Sequence, residues 1–193
     1  MLFRSAYGTA HNLLSRSGVK AGEKVLISGA SGGVGYAAVQ LALLRGARVT
    51  GQASAAKAGA LRDAGAKVID RDAVPEARGF DVVIDVVGGG QWQKRLDALR
   101  PGGRYAVSGA IAGPMVEGDL RSVYLNDLSL FGCTHQSREV FSGLVTIINT
   151  GKLRPLVSKT YALRDIAAAQ ADLMAGRYPG KLVLVPEMRE NHD

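Results

Sequence analysis

Residues 24–35 read KVLISGASGGVG, a short apolar run that leads directly into four closely spaced glycines. The run Lys24–Ser28 has the continuous apolar centre of a strand that is buried on both faces of a sheet. Beyond the glycines, apolar residues recur at helical spacing up to Gly46, where we expect the helix to end. The stretch therefore predicts a strand, a tight turn and a helix, which together are the first unit of an α/β fold.

The same alternation of strand and helix continues along the chain. Further strands are predicted at Arg48–Gly51, Lys67–Asp70, Asp81–Val87, Arg104–Ser108 and Asp127–Cys133, and helices at Ala55–Ala64, Trp92–Arg100 and Glu139–Thr150. This order predicts a doubly wound parallel sheet of the Rossmann type, with six strands and helices on both faces. Right-handed crossovers place the first strand centrally, so a ligand should bind outside the carboxyl ends of the strands.

The chain changes character near residue 153, which suggests a domain over residues 1–153 and a separate segment over 154–193. In the second segment we predict a strand at Val157–Ala162, a helix at Asp165–Ala175 and a strand at Gly180–Val185. This arrangement is typical of a short appendage and not of a seventh repeating unit. The last seven residues are polar, and we expect them to fray.

Composition excludes several classes of protein. The chain has 193 residues, a net charge of +7, 47% hydrophobic and 21% charged residues, which is typical of a globular protein and not of a disordered one. A single cysteine, Cys133, excludes an internal disulfide framework and a multi-thiolate metal site. The scattered cations indicate a solvated surface, not a nucleic-acid partner, and no apolar run approaches a membrane span. We expect a cytoplasmic protein that binds no metal.

The glycine-rich loop after the first strand is the strongest functional signal. Glycines allow a sharp turn and let backbone N–H groups approach a pyrophosphate without a Cβ atom in the way. A loop of this kind between a strand and a helix is the context that the dinucleotide fingerprint requires, although Ala30 stands at the first position of the pattern. The alternative is a glycine-rich turn in some other α/β protein.

The end of the second strand indicates which dinucleotide is bound. An NAD site usually places a carboxylate there to bind the ribose 2′-hydroxyl, but residues 49–57 contain none. Ser54, Lys57 and Arg71 can instead contact a 2′-phosphate, which favours NADP(H) over NAD(H). Taken singly, Lys57 and Arg71 are equally well explained as ordinary surface charges.

The loop also carries a family resemblance. Gly22-Glu23-x-x-Leu26-x-x-x-Ala30-Ser31-Gly32-Gly33-x-Gly35-x-x-x-x-Gln40 resembles the signature of the quinone oxidoreductase branch of the medium-chain dehydrogenases/reductases, which is zinc-independent. Position 43 departs from that signature, because this chain has Leu43 where a Lys, Arg or Ser usually stands. Other matching stretches are Tyr7–Ala10 ahead of a helix, Asp81–Gly88, Leu99–Arg104, Ser129–Gly132 and Gly180–Leu184.

The resemblance implies a role for each part of the cofactor site. It assigns the pyrophosphate to Ala30, Ser31, Gly32, Gly33, Val34 and Gly35, and the 2′-phosphate to Ser54, Lys57 and Arg71. It assigns the adenine ribose to Val87 and Gly88, and the nicotinamide side to Ser108, Gly109, Phe131, Gly132 and Cys133. Family members also have a catalytic domain ahead of this region, so the resemblance implies that this chain is the cofactor-binding part and that residues 154–193 return to the other domain.

Three functions follow from these observations. The first is NADPH-dependent hydride transfer to a small-molecule acceptor, namely a quinone, an enone or another activated double bond. The second is a non-catalytic NADP(H)-binding module. The third is an S-adenosylmethionine-dependent methyltransferase, which also shows a stretch like Leu99–Gly103, but Ser28 and Ala53 stand where that class usually has acids. The apolar edge strand Asp127–Cys133 further predicts a homodimer.

Overall fold

A computed structural model describes residues 3–186 of the chain and contains the predicted six-stranded sheet. The strands are β1 (Lys24–Ile27), β2 (Arg48–Gln52), β3 (Lys67–Ile69), β4 (Phe80–Asp85), β5 (Leu99–Val107) and β6 (Ser129–Gly132). All neighbouring strands are parallel, in the order β3-β2-β1-β4-β5-β6. The strand order therefore reverses between β1 and β4, which is the point where ligands bind in this architecture.

Helices cover both faces of the sheet. They are α1 (Ala6–Arg16), α2 (Gly33–Leu44), α3 (Ala58–Asp63), α4 (Trp92–Asp97), α5 (Leu120–Tyr124), α6 (Arg138–Asn149) and α7 (Ile166–Met174). Successive residues of a strand point to opposite faces, so Val25 and Ile27 enter the core beneath α1 and α2. Leu26 enters a second core with Leu96 and Tyr105. Burial on both faces explains why the three residues Val25–Ile27 of β1 are all apolar.

The C-terminal segment forms a small sheet of its own. Strands β7 (Val157–Ala162) and β8 (Lys181–Val185) are parallel and are joined through α7. Gln40 ties the start of this segment to α1, because its Oε1 accepts hydrogen bonds from the Tyr7 hydroxyl at 2.8 Å and the Arg154 N–H at 3.2 Å. The glutamine of the family signature therefore has a structural role in this chain.

The largest error of the sequence prediction concerns residues 99–103. The predicted helix Trp92–Arg100 ends at Asp97, and β5 begins at Leu99 and runs through the Pro101–Gly103 stretch that was expected to separate helix from strand. Leu99 pairs with Phe80, and a register shift before Val82 accommodates the irregular residues. Pairing with β4 therefore overrides the local turn signal.

Other boundaries differ by smaller amounts. The predicted helix Ala55–Ala64 is a 3₁₀ turn at residues 55–57 followed by α3, and the predicted edge strand Asp127–Cys133 is confined to β6. Tyr7–Ala10 lies inside α1 and not ahead of it, and α5 was not predicted. Apart from the short helix α5, these differences lie at element ends, where local patterns are least informative.

The described part of the chain contains neither a candidate membrane span nor a candidate metal cluster. Between residues 3 and 186, no helix is both long and apolar enough to cross a membrane. In the same range, no three His, Cys, Asp or Glu side chains come together in an arrangement that would hold a metal ion. The polar tail predicted over 187–193 lies outside the described residues.

Candidate functional site

The glycine loop brings the start of α2 close to the end of β1. A Cβ atom at Gly35 would lie 2.1 Å from the carbonyl oxygen of Gly29, so only glycine fits at this contact. Gly29 itself has a φ of +55°, in the left-handed region that glycine favours. Gly32 is the N-cap of α2, and its missing side chain leaves the first helical turn open to an anion.

Two N–H groups of the loop are already used by the protein. The Ala30 N–H donates to the carbonyl oxygen of Gln52 at 3.1 Å, and the Gly32 N–H donates to that of Gly29 at 2.9 Å. Ala30 is also fully buried, so it shapes the loop and does not face a ligand. Within the predicted set Ala30–Gly35, the N–H groups that remain available to an anion are therefore those of the first turn of α2, which lack helical partners.

A cation that the sequence analysis did not assign lies beside this turn. The Lys181 ammonium is 3.6 Å from the position that a Cβ atom of Gly33 would occupy. Lys181 reaches the loop because the Gly180 N–H donates to the carbonyl oxygen of Ser31 at 2.7 Å and joins β8 to the loop. The residue stands in the quoted Gly180–Leu184 motif, but nothing in its spacing indicates that it reaches the loop.

A cavity of about 360 Å³ opens beside the loop, at the carboxyl ends of β1, β2 and β4. Its lining includes six of the residues predicted for the cofactor, namely Ser31, Ser54, Lys57, Arg71, Val87 and Gly88. Gln52, Ala53, Asp72, Gln91, Arg95 and Ile111 also line it. The structure therefore places Ser31, one of the six residues predicted for the diphosphate, in one cavity with the residues predicted for the 2′-phosphate and the ribose. This cavity lies at the point where the strand order reverses.

One end of the cavity carries the predicted cations. Ser54 and Lys57 follow β2, and Arg71 follows β3 on the neighbouring strand. The cavity also contains one carboxylate that the sequence analysis did not consider, Asp72, which lies 3.4 Å from Arg71. Both side chains are more than 70% exposed, so this ion pair is weak and leaves Arg71 available to a ligand.

The floor of the site is built around a buried carboxylate at the end of β4. Asp85 accepts hydrogen bonds from the side chains of Ser28, Arg95 and Tyr105 and from the N–H groups of Val87 and Gly88. Burial by itself would raise the pKa of Asp85, but the charge of Arg95 and these hydrogen bonds lower it below its ordinary value. Asp85 therefore remains ionised and holds the turn that follows β4.

Arg95 connects this floor to the cavity. Its Nη1 donates to Asp85 at 3.1 Å and to the carbonyl oxygen of Gly88 at 3.0 Å, and its Nε donates to Gln52 at 3.3 Å. Arg95 is not recognisable from the sequence, because an arginine in a short polar helix resembles a surface cation. The indirect signal was Asp85, a carboxylate in an apolar strand that needs partners when it is buried.

The residues predicted for the nicotinamide side do not line this cavity. Ser108, Gly109, Phe131, Gly132 and Cys133 lie at the same edge of the sheet, at the ends of β5 and β6. Cys133 is buried, its N–H donates to Val107, and burial raises the pKa of its thiol, so the side chain has no features of a nucleophile. A second, more open cavity of about 700 Å³ lies near Thr9.

The site fits a dinucleotide with a diphosphate bridge. The bare first turn of α2 and Lys181 supply a cradle for the diphosphate, and the adjoining cavity has the volume and polarity for an adenosine group. No described residue of this site combines the reactivity and exposure of a nucleophile. The arrangement can therefore bind and orient a cofactor that carries the reaction chemistry itself.

Comparison with known proteins supports this interpretation. A family model for zinc-binding dehydrogenases matches residues 41–184. The acryloyl-coenzyme A reductase of Metallosphaera sedula is 32% identical over 183 residues, which cover 92% of this chain and 55% of that protein. The quinone oxidoreductase of Homo sapiens is 29% identical over 205 aligned residues, which cover 93% of this chain and 60% of that protein.

A solved structure agrees with the sequence matches. The crystal structure of a Sinorhizobium meliloti 1021 protein, assigned provisionally as an alcohol dehydrogenase, is 45% identical with a TM-score of 0.89. That alignment covers 94% of this chain and 53% of the other protein, so the chain spans little more than half the length of these relatives. By its fold, its loop and these matches, the chain belongs to the zinc-binding dehydrogenases of the medium-chain dehydrogenase/reductase superfamily, a family of NAD(P)-dependent oxidoreductases.

Proposed function

We propose that this chain is the NADP(H)-binding part of an oxidoreductase that transfers hydride from NADPH to a quinone, an enone or another activated double bond. The observation that carries the proposal is the charge pattern of the cavity. Ser54, Lys57 and Arg71 surround the end of β2, and β2 itself ends without a carboxylate that would repel a 2′-phosphate. Two of the relatives are named for quinone and acryloyl-coenzyme A, and both compounds contain a conjugated, electron-poor double bond.

Each part of the chain has a separate task in this mechanism. The first turn of α2 holds the diphosphate, and Ser54, Lys57 and Arg71 hold the 2′-phosphate. The cofactor supplies the hydride. The turn after β4, fixed by Asp85, holds the adenosine end, while Ser108, Gly109 and residues 131–133 approach the nicotinamide from the ends of β5 and β6. The chain therefore acts by orienting the nicotinamide toward an acceptor.

Cofactor titration tests the 2′-phosphate assignment directly. We expect the chain to bind NADPH at least about tenfold more tightly than NADH, because a phosphate between cations adds charge-assisted hydrogen bonds. Lys57→Glu should reduce this preference about tenfold, while Lys152→Glu, at an exposed position outside the cavity, should not change it. Equal affinities of the wild-type chain for NADPH and NADH would contradict the proposal.

Asp72 provides an independent test of whether the cavity binds a 2′-phosphate. If the cavity binds a 2′-phosphate, Asp72→Asn removes a repelling charge and should tighten NADPH binding or leave it unchanged. If Asp72 instead accepts a hydrogen bond from a free 2′-hydroxyl, the same substitution should weaken NADH binding. Isothermal titration of the variant with both nucleotides separates these two results.

The non-catalytic module remains a second candidate, because the residues that line the cavity account for binding of a nucleotide and not for reduction of an acceptor. NADPH consumption in the presence of 1,2-naphthoquinone or a simple enone distinguishes the two. Turnover supports the oxidoreductase, while tight binding without turnover supports the module. Membership of a dehydrogenase family argues against the methyltransferase alternative, and titration with S-adenosylmethionine should give no heat of binding.

Zinc independence is also part of the proposal. Its support is the resemblance of residues 22–40 to the zinc-independent branch. The point needs its own test, because the name of the matched family refers to zinc. We expect the purified protein to contain less than stoichiometric zinc, and its NADPH oxidation to persist after dialysis against a chelator. A loss of activity that added zinc restores would overturn this part of the proposal.

We further propose that the edge strand predicted at Asp127–Cys133, observed as β6, mediates a homodimer. Among the strands of residues 3–186, β6 pairs with β5 alone, and Leu130 in its centre is 47% exposed. Sedimentation equilibrium should show a dimer, and Leu130→Arg should shift it to a monomer. Leu173→Arg, at an exposed position on α7, is the matched control, and a wild-type monomer at high concentration would contradict the proposal.

A further inference from the structure

The amino ends of four strands border a further cavity of about 420 Å³, which shares no lining residue with the cofactor cavity. It is lined by the first residues of β1, β2, β3 and β4, namely Lys24, Arg48, Lys67 and Phe80. Ligands of this architecture bind outside the carboxyl ends of the strands. A dinucleotide at that end therefore does not account for a cavity at the opposite end of the sheet.

The connection between β3 and β4 explains why this cavity exists. Residues 70–79 lead from β3 past β2 and β1 to β4, and none of them is helical. Crossovers between parallel strands usually have a dozen or more residues and a helix that covers the sheet. The connection lies on the same face as α4, because the Gln52 side chain donates to the carbonyl oxygen of Ala73 at 3.4 Å and the Arg78 N–H donates to that of Asp97 at 3.0 Å. Residues 74–76 of this loop form one wall of the cavity, where other crossovers place a helix.

Three cations lie on one face of the sheet at this cavity. Lys24 pairs with Arg48 across β1 and β2, and Thr50 pairs with Lys67 across β2 and β3. Neighbouring strands are about 4.8 Å apart and alternate residues of a strand share a face, so these four side chains point to the same side. Within residues 3–186, none of the three cations forms an ion pair. Among the described lining residues, Glu76 is the one carboxylate, so the cavity attracts anions.

Thr50 adds a polar group that the protein itself leaves unused. It is 9% exposed and lines the cavity. In the part of the chain that the structure describes, its hydroxyl has no hydrogen-bond partner, and the hydroxyl oxygen is not among the side-chain atoms that the protein closes off. Buried polar groups are nearly always hydrogen-bonded, so the partner of this hydroxyl is supplied by the molecule that occupies the cavity.

The polar side of the cavity fits a carboxylate. The Nε of Arg48 donates to the carbonyl oxygen of Gly22 at 3.1 Å, which leaves both Nη groups of its planar guanidinium to bind a carboxylate. Thr50 lies two residues further along the same face of β2 and can donate its hydroxyl to the same group. Lys67 lies beside Thr50 on β3 and adds a second positive charge.

The other side of the cavity is apolar. Ile69, Pro75 and Phe80 line it, and Val74 lies at its edge with 69% of its surface exposed. An apolar ring or chain would remove these side chains from water, whereas a small anion such as acetate would gain nothing from them. The volume of the cavity falls within the range of ordinary small-molecule sites.

We propose that this cavity is a second ligand site, which binds a small organic carboxylate through Arg48, Thr50 and Lys67. Ile69 and Phe80 hold the apolar body of the ligand. The site goes beyond the proposed function and does not depend on it, because none of these five residues lines the cofactor cavity.

Titration of the isotope-labelled chain with 2-naphthoate, followed by nuclear magnetic resonance, tests the proposal. The titration is run with and without NADP⁺, which occupies the cofactor cavity. We expect saturable shifts of the amide signals of residues 48–50, 67–69 and 74–80, which surround the new site. 2-Naphthol has the same ring system without the carboxylate, and it should bind at least about tenfold more weakly because it forms no charge-assisted hydrogen bonds.

Two variants test the contacts to the carboxylate. Thr50→Val keeps the branched shape of the side chain but removes the hydroxyl, and it should weaken the binding of 2-naphthoate about fivefold to tenfold. Lys67→Gln removes one charge and should weaken binding about threefold to tenfold at low salt. Lys152→Gln, at an exposed position outside both cavities, should retain the wild-type affinity.

Several results would overturn this site. Equal affinities of the wild-type chain for 2-naphthoate and 2-naphthol would exclude recognition of a carboxylate, and unchanged affinity in either variant would exclude the assigned contacts. Shifts that do not saturate, or that lie around the cofactor cavity, would exclude the location. The comparison of the two compounds needs no variant, so the site remains testable even if Thr50→Val does not fold. Failure to bind NADP⁺ or NADPH would overturn the proposed function alone, because 2-naphthoate is also titrated without nucleotide.

Discussion

Arg95 and Asp85 form a buried ion pair, with 3.1 Å between Nη1 and Oδ2 and side chains that are 3% and 0% exposed. The pair joins α4 to the end of β4 directly beneath the cofactor cavity. Because Arg95 also binds the Gly88 carbonyl oxygen and Gln52, one side chain fixes the turn after β4 relative to the end of β2. The shape of the cavity therefore depends on charges that a ligand does not need to touch.

Removing Arg95 should destabilise the whole domain. Arg95→Met leaves the Asp85 carboxylate buried without its cation, and we expect the free energy of unfolding to fall by about 3–5 kcal/mol. Urea denaturation followed by circular dichroism measures the change. The double variant Asp85→Asn/Arg95→Met should be more stable than Arg95→Met alone, because the uncompensated charge is gone. A change below about 0.5 kcal/mol in the single variant would show that the pair is not important for stability.

Adding one methyl group to the glycine loop should abolish tight cofactor binding. In Gly35→Ala the new Cβ atom would meet the backbone of Gly29 at 2.1 Å, so α2 must move away from the loop. We expect the affinity for NADPH to fall at least about tenfold, since displacing the first turn of α2 misplaces its N–H groups. Gly59→Ala in α3 is the control, because nothing lies within 4 Å of its Cβ position and alanine favours a helix. Unchanged binding in Gly35→Ala would contradict the assignment of the diphosphate.

Lys181 should contribute to affinity through charge. Lys181→Met keeps most of the apolar stem but removes the ammonium beside Gly33, and NADPH binding should weaken about fivefold to tenfold at low salt. The difference between variant and wild type should shrink as salt concentration rises, because screening weakens the interaction in the wild type. If the loss of NADPH affinity does not depend on salt, the substitution acts by disturbing β8 and not by removing a charge contact. Titrations at two salt concentrations provide the comparison.

Stability should fall in mild acid because of His11. Burial, together with the nearby charge of Arg45, lowers the pKa of His11 from 6.5 to about 4. Between these values the unfolded chain binds a proton that the folded chain does not, so stability is lost as the pH falls from about 6.5 to 4. We expect a loss of about 2–3 kcal/mol over this interval, measured by urea denaturation at several pH values. His11→Gln should make the free energy of unfolding less dependent on pH over this interval. An equally strong pH dependence in that variant would assign the effect to other groups.

The sequence by itself determined the class of the fold and the position of its site. Alternating apolar runs and helical periods predicted the six parallel strands, because burial on both faces and helix amphipathicity are local properties of the chain. The glycines of residues 29–35 and the absence of a carboxylate at the end of β2 are likewise visible without a structure. These signals fixed the loop and the residues Ser54, Lys57 and Arg71, which the structure places around one cavity.

Tertiary structure alone decided the parts that depend on residues far apart in the chain. The start of β5 at Leu99 depends on pairing with Phe80, which local turn signals cannot indicate. Lys181 reaches the glycine loop only because β8 returns to Ser31. The buried pair of Asp85 and Arg95 becomes evident only when burial and partners are known. Local periodicity reports which face a residue occupies, whereas hydrogen-bond partners and burial are set by how the elements pack in three dimensions.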